Sequence, residues 1–398
     1  MIARSAIRPA ATAVVAGAAA LAIAYGWIGG SVVSPAVGQG PGRLDARLTR
    51  AVERAGPGER IPVLIEVDRG APPTPLSPSR ELRAAEHASD LASIYAASVR
   101  ALRDAAPASL SSDLGTGELI WAAGAVAVEL SPDGIRAVGA VPGVRRMYYN
   151  GLVEVEPLGG REARGPLTLS PGSLPAQNPD GGLPRGLELI GAPTLWASGA
   201  TGQGTVVAII DSGVDGDHPL LRRNWRGLST PAIEAWFDPW GLSATPIDDD
   251  ATGGIGHGTI VATVAVGSLA PGDTLFTPAG GPLVVGEPLE VVTGVAPGAE
   301  WVAANAFEGF GGASYTRLSV LLQSMQWALD PDGDPATVSD VPDVVNNSWG
   351  FRPGGCDGVF DRAIDALELA GIPVVFAAGN RSAGFDTVAA PAERADPP

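Results

Sequence analysis

Cysteine is almost absent from this sequence. The 398 residues include a single one, Cys356, so an intrachain disulfide is excluded. Its place after two glycines is typical of an ordinary thiol in a loop. Stability therefore has to come from burial of a core or from bound metal. Histidine is scarce as well, at three residues.

Positive charge is also in short supply. Lys and Arg together number 26 against 43 Asp and Glu, which gives a formal net charge of −17. This balance argues against nucleic acid or an anionic membrane surface as the main partner, because both require basic patches. It suits a soluble exported protein. With 45% hydrophobic and 17% charged residues the chain can bury a sizeable core, and its length allows two to three domains.

Charged residues are missing from the whole stretch 9–42. Arg4 and Arg8 precede it, and Ala, Val, Leu and Ile dominate its first half. A basic start followed by an apolar run is typical of a signal peptide, which we assign to residues 1–36 with small residues at Ser34-Pro35-Ala36 for cleavage. An uncleaved membrane anchor is the alternative, since the apolar run is long. Either reading predicts a secreted or extracellular protein, anchored to the cell envelope if the signal is retained.

Residues 44–155 are predicted to form a small α/β domain of their own. The pattern predicts strands at 61–68, 118–130 and 144–150, an amphipathic helix at 81–105, and a short helix started by Ser131-Pro132-Asp133. Residues 156–186 lack hydrophobic periodicity and are rich in Gly and Pro, so we interpret them as an exposed linker.

The rest of the chain is organised around TVVAIIDSGVDGDHP, residues 205–219. Its apolar start is typical of a parallel strand that is buried on both faces. Asp211 follows that strand directly. Because ligands bind outside the carboxyl ends of strands in open parallel sheets, this carboxylate is a candidate site residue. The alternative is a solvated aspartate in a turn.

Two later stretches favour a catalytic reading. In GIGHGTIVATVAVG, residues 254–267, the glycine-flanked His257 opens a predicted helix and is a candidate general base. In GIPVVFAAGN, residues 371–380, a predicted buried strand leads to Asn380, whose amide could donate to a developing oxyanion.

Five motifs together resemble the subtilases, the subtilisin-like serine peptidases. DSGVDGDHP, HGTIVA, GVAPGAEWVAANAF, VVNNSWG and VVFAAGN follow one another in that family's order. The resemblance implies an α/β fold in which residues 187–398 form the N-terminal part of a subtilisin-like parallel sheet flanked by helices. Residues 44–155 resemble the family's inhibitor-type propeptide, a small ferredoxin-like α/β domain, although an unrelated α/β domain is the alternative.

The resemblance also implies roles for single residues. Asp211 would orient His257, which would deprotonate a serine, and Asn380 would stabilise the oxyanion. It further implies a peptide or protein substrate, no required cofactor, and inhibition in cis by the propeptide. The backbone of an extended substrate would pair with three residues, Ser348, Trp349 and Gly350, and the Trp349 side chain would bound a subsite.

The sequence departs from the family pattern in three places. Ile260 stands where a second histidine is usual, and Trp349 stands where leucine is common. The nucleophile's Gly-Thr-Ser motif is found nowhere, and only 18 residues follow Asn380. We therefore expect the catalytic serine beyond residue 398, because neither Ser212 nor Ser382 occupies the family's nucleophile position.

Two acidic clusters could bind calcium, which prefers carboxylate and carbonyl oxygens. They are Asp248–Asp250 and the group Asp330, Asp332 and Asp334, although Asp-Pro-Asp-Gly is equally ordinary turn chemistry. The other histidines, His87 and His218, receive no chemical role, and we expect His87 on the polar face of its helix. Two further functions stay open: a non-catalytic subtilase-like peptide-binding protein, and a structural protein of the cell envelope.

Overall fold

A computed structural model describes residues 43–68, 75, 77–157, 185–248, 256–269, 274–276, 282–284, 291–310, 313–337, 339–351, 358–380 and 388–392. The predicted signal segment, most of the predicted linker and Cys356 lie outside these ranges. Among the described residues, no helix combines the length and apolar character needed to cross a membrane.

The first unit is a four-stranded antiparallel sheet with helices. Its elements are α1 (Ala46–Arg54), β1 (Ile61–Val67), α2 (Arg80–Ala105), α3 (Ser111–Gly115), β2 (Glu118–Ile120), β3 (Ala125–Leu130), α4 (Pro132–Gly139) and β4 (Val144–Tyr149). The strand order is β2-β3-β1-β4, with β1 antiparallel to both of its neighbours. Apart from α1 and α3, this is the ferredoxin-like βαββαβ arrangement predicted for this part of the chain.

Local sequence signals explain most boundaries of this unit. The Ser79 hydroxyl accepts from Leu82 N at the start of α2, and the Ser131 hydroxyl accepts from Gly134 N at the start of α4. The predicted single strand at 118–130 is in fact two, because the chain turns at Gly124, whose φ of +62° suits glycine.

The second unit contains a five-stranded parallel sheet with helices. Its elements are α5 (Arg185–Leu189), α6 (Ala192–Ala197), β6 (Val206–Asp211), β7 (Trp236–Phe237), α7 (His257–Val266), β8 (Ser268–Leu269), β9 (Thr274–Phe276), β10 (Pro282–Val284), β11 (Val291–Val292), β12 (Glu300–Asn305), β13 (Glu308–Phe310), β14 (Ala313–Thr316), α8 (Leu318–Leu329), β15 (Val344–Asn347), β16 (Trp349–Gly350), α9 (Asp361–Leu369) and β17 (Val374–Phe376). The strand order in the parallel sheet is β17-β15-β6-β12-β7.

Both faces of the central strand β6 are covered. Val207 and Ile209 pack into one core with residues of α7, whereas Ala208 and Ile210 belong to a second core that includes residues of α8 and α9. This double burial explains why β6 is continuously apolar rather than alternating. The second core continues into the first unit, so the two units share buried surface.

A further strand, β5 (Val153–Pro157), leaves the first unit and joins the second. It lies between β14 and β16 and is antiparallel to both. Thr316 pairs with Val153, and Gly350 pairs with Glu156. The strand extends two residues into the stretch that the sequence predicts to be linker.

Candidate active site

Asp211 and His257 are in direct contact. His257 Nδ1 lies 2.7 Å from Asp211 Oδ1, and the same oxygen accepts from Ser212 N at 2.8 Å. The Asp211 side chain is fully buried, whereas that of His257 is 20% exposed. A buried carboxylate therefore holds one ring nitrogen of a histidine whose side chain is partly open to solvent, which is the arrangement of an oriented general base.

Two glycines allow the aspartate and histidine segments to approach this closely. A Cβ atom on Gly258 would lie 2.0 Å from the Gly213 carbonyl oxygen and 3.0 Å from Asp211 Cβ. Gly213 itself has a φ of +94°. Larger residues at either position would push the His257 helix away from β6 or strain the turn.

Asp248 ties the two segments together. Its carboxylate accepts from Ser212 Oγ at 2.8 Å, from Thr259 N at 2.8 Å and from Thr259 Oγ1 at 2.5 Å, and Ser212 Oγ in turn accepts from Gly258 N at 2.9 Å. Burial, joined by the charge of Asp211, outweighs these donors and raises the pKa of Asp248 to about 7.

This role of Asp248 is absent from the sequence prediction, which weighs the residue only as part of a calcium cluster. Both of its oxygens are engaged by protein donors, and the other two members of that cluster, at 249 and 250, lie outside the described residues. Asp248 is therefore a positioning residue for the start of α7. The sequence signal for this positioning role is the run of acidic residues just before the histidine motif.

The other predicted site residues follow strands of the same parallel sheet. Asp211 is the last residue of β6 rather than the first residue after it, Ser348 directly follows β15, and Asn380 comes four residues after β17. Parallel strands bring their carboxyl ends to one edge, so all three lie at that edge. Asn380 is exposed, past a Gly379 with a φ of +103°.

The Trp349 side chain does not border a cleft in this structure. It is 1% exposed and its ring makes edge contacts with Phe307, Phe351, Phe360 and Phe376 at centroid distances of 5.4 to 6.4 Å. The prediction that this ring bounds a subsite is corrected here: the indole is a core side chain. Only its backbone faces an extended segment, because Trp349 pairs with Pro157 of β5.

Polar contacts fix the first unit against the second. Glu66 in β1 is 5% exposed, and its carboxylate lies 3.1 Å from Arg362 Nε of α9. Arg362 Nη1 also donates to the Val67 carbonyl at 2.7 Å. A charged residue in the otherwise apolar strand IPVLIEV is the sequence signal for this contact, which the sequence predictions do not include.

A second contact caps a helix across the boundary. Asn150 Oδ1 accepts from Ser319 N at 2.9 Å, and Asn150 Nδ2 donates to Ser319 Oγ at 3.0 Å. Arg317, the residue directly before α8, makes no side-chain capping hydrogen bond to this helix. The first unit thus supplies the N-terminal cap of a buried helix of the second unit.

One acidic cluster of the second unit could hold a metal ion. Asp330, Asp332 and Asp340 each offer a carboxylate oxygen, and these oxygens lie within 4.8 Å of one another. The sequence prediction is corrected on its third member: Asp334 is exposed, and its Oδ1 accepts from Ala336 N at 3.0 Å. Asp340 lies outside any recognisable motif, so no sequence signal marks it.

Burial dominates the electrostatics of this cluster. It raises the pKa of Asp340 to about 7, with nearby backbone amides lowering it and the charge of Asp332 adding to the rise. It likewise raises the pKa of Asp330 to about 6, to which the charges of Asp332 and Asp334 contribute. Ionised carboxylates in this cluster are therefore energetically unfavourable unless a cation or a proton compensates their charge.

The two remaining histidines lie away from Asp211. His87 is 1% exposed, so it belongs to the buried face of α2 and the prediction of a polar-face position is wrong. His218 Nδ1 accepts from Leu220 N at 3.4 Å, and burial lowers its pKa.

Comparisons with known proteins agree with this geometry. Residues 202–396 match the model of the Subtilase family. Bacillopeptidase F of Bacillus subtilis (strain 168) is 36% identical over 203 residues, which cover 49% of this chain and 12% of that protein. Subtilisin E of the same organism and subtilisin of Bacillus pumilus are each 31% identical over 214 residues, covering 53% of this chain and 44% and 61% of theirs. The chain thus spans less than two thirds of each relative.

The solved structure of fervidolysin from Fervidobacterium pennivorans, a keratinolytic enzyme related to subtilisin, aligns with 85% of this chain and 43% of its own. The TM-score of 0.46 and the identity of 22% are too low to carry an argument. The family match covers the whole region that contains Asp211, His257 and Asn380. Residues 202–396 therefore form a subtilase-family domain, similar to those of the serine peptidases named above.

Proposed function

We propose that this chain is part of the precursor of a secreted serine endopeptidase, in which Asp211 and His257 are two members of an Asp-His-Ser triad. The observation that carries the proposal is the 2.7 Å contact between these side chains at the carboxyl edge of a parallel sheet. Family membership supports a peptide or protein substrate.

In this mechanism Asp211 accepts the Nδ1 hydrogen of His257, so that Nε2 is the ring nitrogen that takes up a proton. His257 Nε2 then removes the hydroxyl proton of the nucleophilic serine as its oxygen attacks the scissile carbonyl. The buried charge of Asp211 stabilises the imidazolium that forms. His257 next gives the proton to the leaving amine. We expect the serine in sequence beyond residue 398, because no Gly-Thr-Ser motif occurs in these residues.

Asn380 and the strand edge after β15 complete the proposed site. Asn380 would donate its side-chain amide to the tetrahedral oxyanion, and its exposure leaves that amide accessible. Loss of the equivalent asparagine in subtilisin is already known to cost about 10² to 10³ in kcat, and we expect a similar cost here. The backbone of Ser348, Trp349 and Gly350 would pair with an extended substrate.

The first unit is proposed to be an inhibitory propeptide. Its strand β5 pairs with β16, which is the edge assigned to substrate, and it does so by the strand addition that an extended peptide uses. A cut within residues 158–184 would leave β5 as the carboxyl end of the inhibitor, still paired with β14 and β16. The chain would then be a zymogen that inhibits its own peptidase domain in cis.

The proposed chemistry uses only protein groups and water. Export through the apolar segment 1–36 is part of the proposal, with retention at the cell envelope if that segment is not removed. Two alternative functions compete with this proposal: a non-catalytic peptide-binding protein and a structural protein of the cell envelope.

The experiment is to express the gene with its natural continuation and to sequence the N-terminus of the product. We expect a new N-terminus within residues 158–184 and hydrolysis of an unstructured protein such as casein. His257→Ala should remain at full length and should not hydrolyse casein. A stable, unprocessed and inactive wild-type protein would favour the peptide-binding alternative.

A further inference from the structure

The acidic cluster after α8 has a geometry that bare carboxylates do not favour. Asp330, Asp332 and Asp340 direct one oxygen each to a common place, with all three oxygens within 4.8 Å of one another. Like charges at that separation repel unless a proton or a cation lies among them.

Asp340 provides a second and separate observation. Its side chain is 0% exposed, and neither carboxylate oxygen has a hydrogen-bond partner of ordinary length and angle, although the backbone amides of Asp332 and Asp340 lie near enough to lower its pKa. Among the described residues of this unit, the other fully buried acid is Asp211, which contacts both a histidine and a backbone amide. Buried carboxylates in proteins are paired or coordinate metal ions, because an uncompensated buried charge costs several kcal/mol.

A basic group on a neighbouring segment, Arg226, pairs with a different acid. Arg226 Nη2 donates to the carbonyl of Ser339, next to Asp340, at 2.6 Å, while its Nη1 lies 2.9 Å from Glu300 Oε2. The guanidinium therefore pairs with a different acid. An oxygen site with three carboxylates, one of them buried and unpaired, is left for a cation.

We propose that Asp330, Asp332 and Asp340 bind Ca²⁺. The three side chains offer hard oxygen ligands and no nitrogen or sulfur, which disfavours Zn²⁺. Ca²⁺ takes six to eight oxygens in a flexible shell, so backbone carbonyls and water can complete it, whereas Mg²⁺ requires a near-ideal octahedron.

The site would stabilise the connection that leads to the substrate edge. The loop runs from the end of α8 at Leu329 to the start of β15 at Val344. Just before β15, Asp343 accepts from Val206 N at 2.8 Å and pairs with Arg80 of the first unit. Closing this loop with a metal ion therefore anchors β15, and with it the segment that begins at Ser348.

The first test is thermal unfolding of the full chain in Ca²⁺ and in EGTA. We expect Ca²⁺ at about a hundredfold its Kd to raise Tm by roughly 3 °C, the shift for a chain of this length. Asp340→Asn should lose this rise, yet in EGTA it should be at least as stable as wild type, because it removes an uncompensated buried charge. Asp334→Asn is the matched control and should keep the rise, since Asp334 lies in the same loop but outside the cluster.

The second test is direct binding by calorimetry with Ca²⁺ as the only titrant. Asp332→Asn and Asp340→Asn should each remove one site or weaken it by about a hundredfold, while Asp334→Asn should leave that site in place. The proposal is wrong if Asp340→Asn retains wild-type binding and the wild-type rise in Tm. It is equally wrong if wild type shows neither Ca²⁺ binding nor a change in Tm.

Discussion

The contact between Glu66 and Arg362 is the sharpest place to perturb the attachment of the first unit. Both side chains are largely buried, at 7% and 13% exposure, and they come from different units. We would replace Arg362 by Met, which keeps length and apolar bulk, and Glu66 by Gln, which keeps shape. The double variant completes a thermodynamic cycle.

Arg362→Met removes the 3.1 Å ion pair with Glu66 and the 2.7 Å hydrogen bond to the Val67 carbonyl. A hydrogen bond to a charged group contributes about 1.5 to 3 kcal/mol, so the two contacts would sum to about 3 to 6 kcal/mol. Because Arg145 remains paired with Glu66 at 2.7 Å, we expect a smaller loss of about 2 to 4 kcal/mol. Since each 1.4 kcal/mol is a factor of ten, the inhibition constant should rise about 30- to 1,000-fold. The double-mutant cycle should give a coupling energy of about 1.5 to 3 kcal/mol between Glu66 and Arg362.

The assay adds residues 43–157, produced separately, to the mature peptidase and measures inhibition of peptide hydrolysis. Circular dichroism would establish that each variant of the inhibitor is folded. Arg136→Gln is the matched control, because that arginine pairs with Asp133 on the exposed surface of the same unit. A coupling energy below about 0.5 kcal/mol, or an unchanged inhibition constant for Arg362→Met, would refute the reasoning.

Three other outcomes are expected. Asp211→Asn should lower kcat by about 10⁴, the loss known for serine peptidases of another fold, with little change in KM, as steady-state kinetics would show; a decrease below tenfold would remove Asp211 from the triad. Asn150→Ala deprives α8 of its cap and should weaken inhibition by the separate first unit by about fivefold, corresponding to about 1 kcal/mol, and an unchanged constant would contradict the cap. For Asp248 the folded-state pKa of about 7 lies above the unfolded value, so its contribution to stability is largest below about pH 4 and is lost as pH rises through about 7. Urea unfolding in EGTA should show a smaller decline between pH 4 and pH 8 for Asp248→Asn than for wild type, and equal declines would contradict this assignment.

The sequence predicts those parts of the fold that local patterns encode. The apolar, β-branched run before Asp211 predicts a strand covered on both faces, and the serines before α2 and α4 mark helix starts. The flanking glycines predict His257 at the start of α7. A Cβ atom on one of them, Gly258, would lie 2.0 Å from the Gly213 carbonyl oxygen in the opposing turn. These signals place Asp211, the proposed orienting acid, and His257, the proposed base, within a few positions of the strand and helix on which they are observed.

The remaining features depend on contacts between distant segments. Trp349 is a core residue because three phenylalanines from other segments, Phe307, Phe360 and Phe376, surround its ring together with the nearby Phe351, and its spacing in sequence does not reveal that. Asp340 joins Asp330 and Asp332 only because the loop folds back, so Asp334, which is nearer in sequence, was chosen instead. Strand β5 finds both of its partners in the second unit, and no pattern within 153–157 specifies them.

The central claim is that His257 and Asp211 serve an acyl-enzyme chemistry whose serine lies outside these 398 residues. The most direct measurement treats two proteins with a fluorophosphonate probe: residues 1–398, and the same chain joined to its natural continuation. We expect covalent labelling of the longer protein at a single serine beyond residue 398, its loss in His257→Ala, and no labelling of the shorter protein. Labelling of residues 1–398 at one of its own serines, or no labelling of the longer protein, would contradict the account.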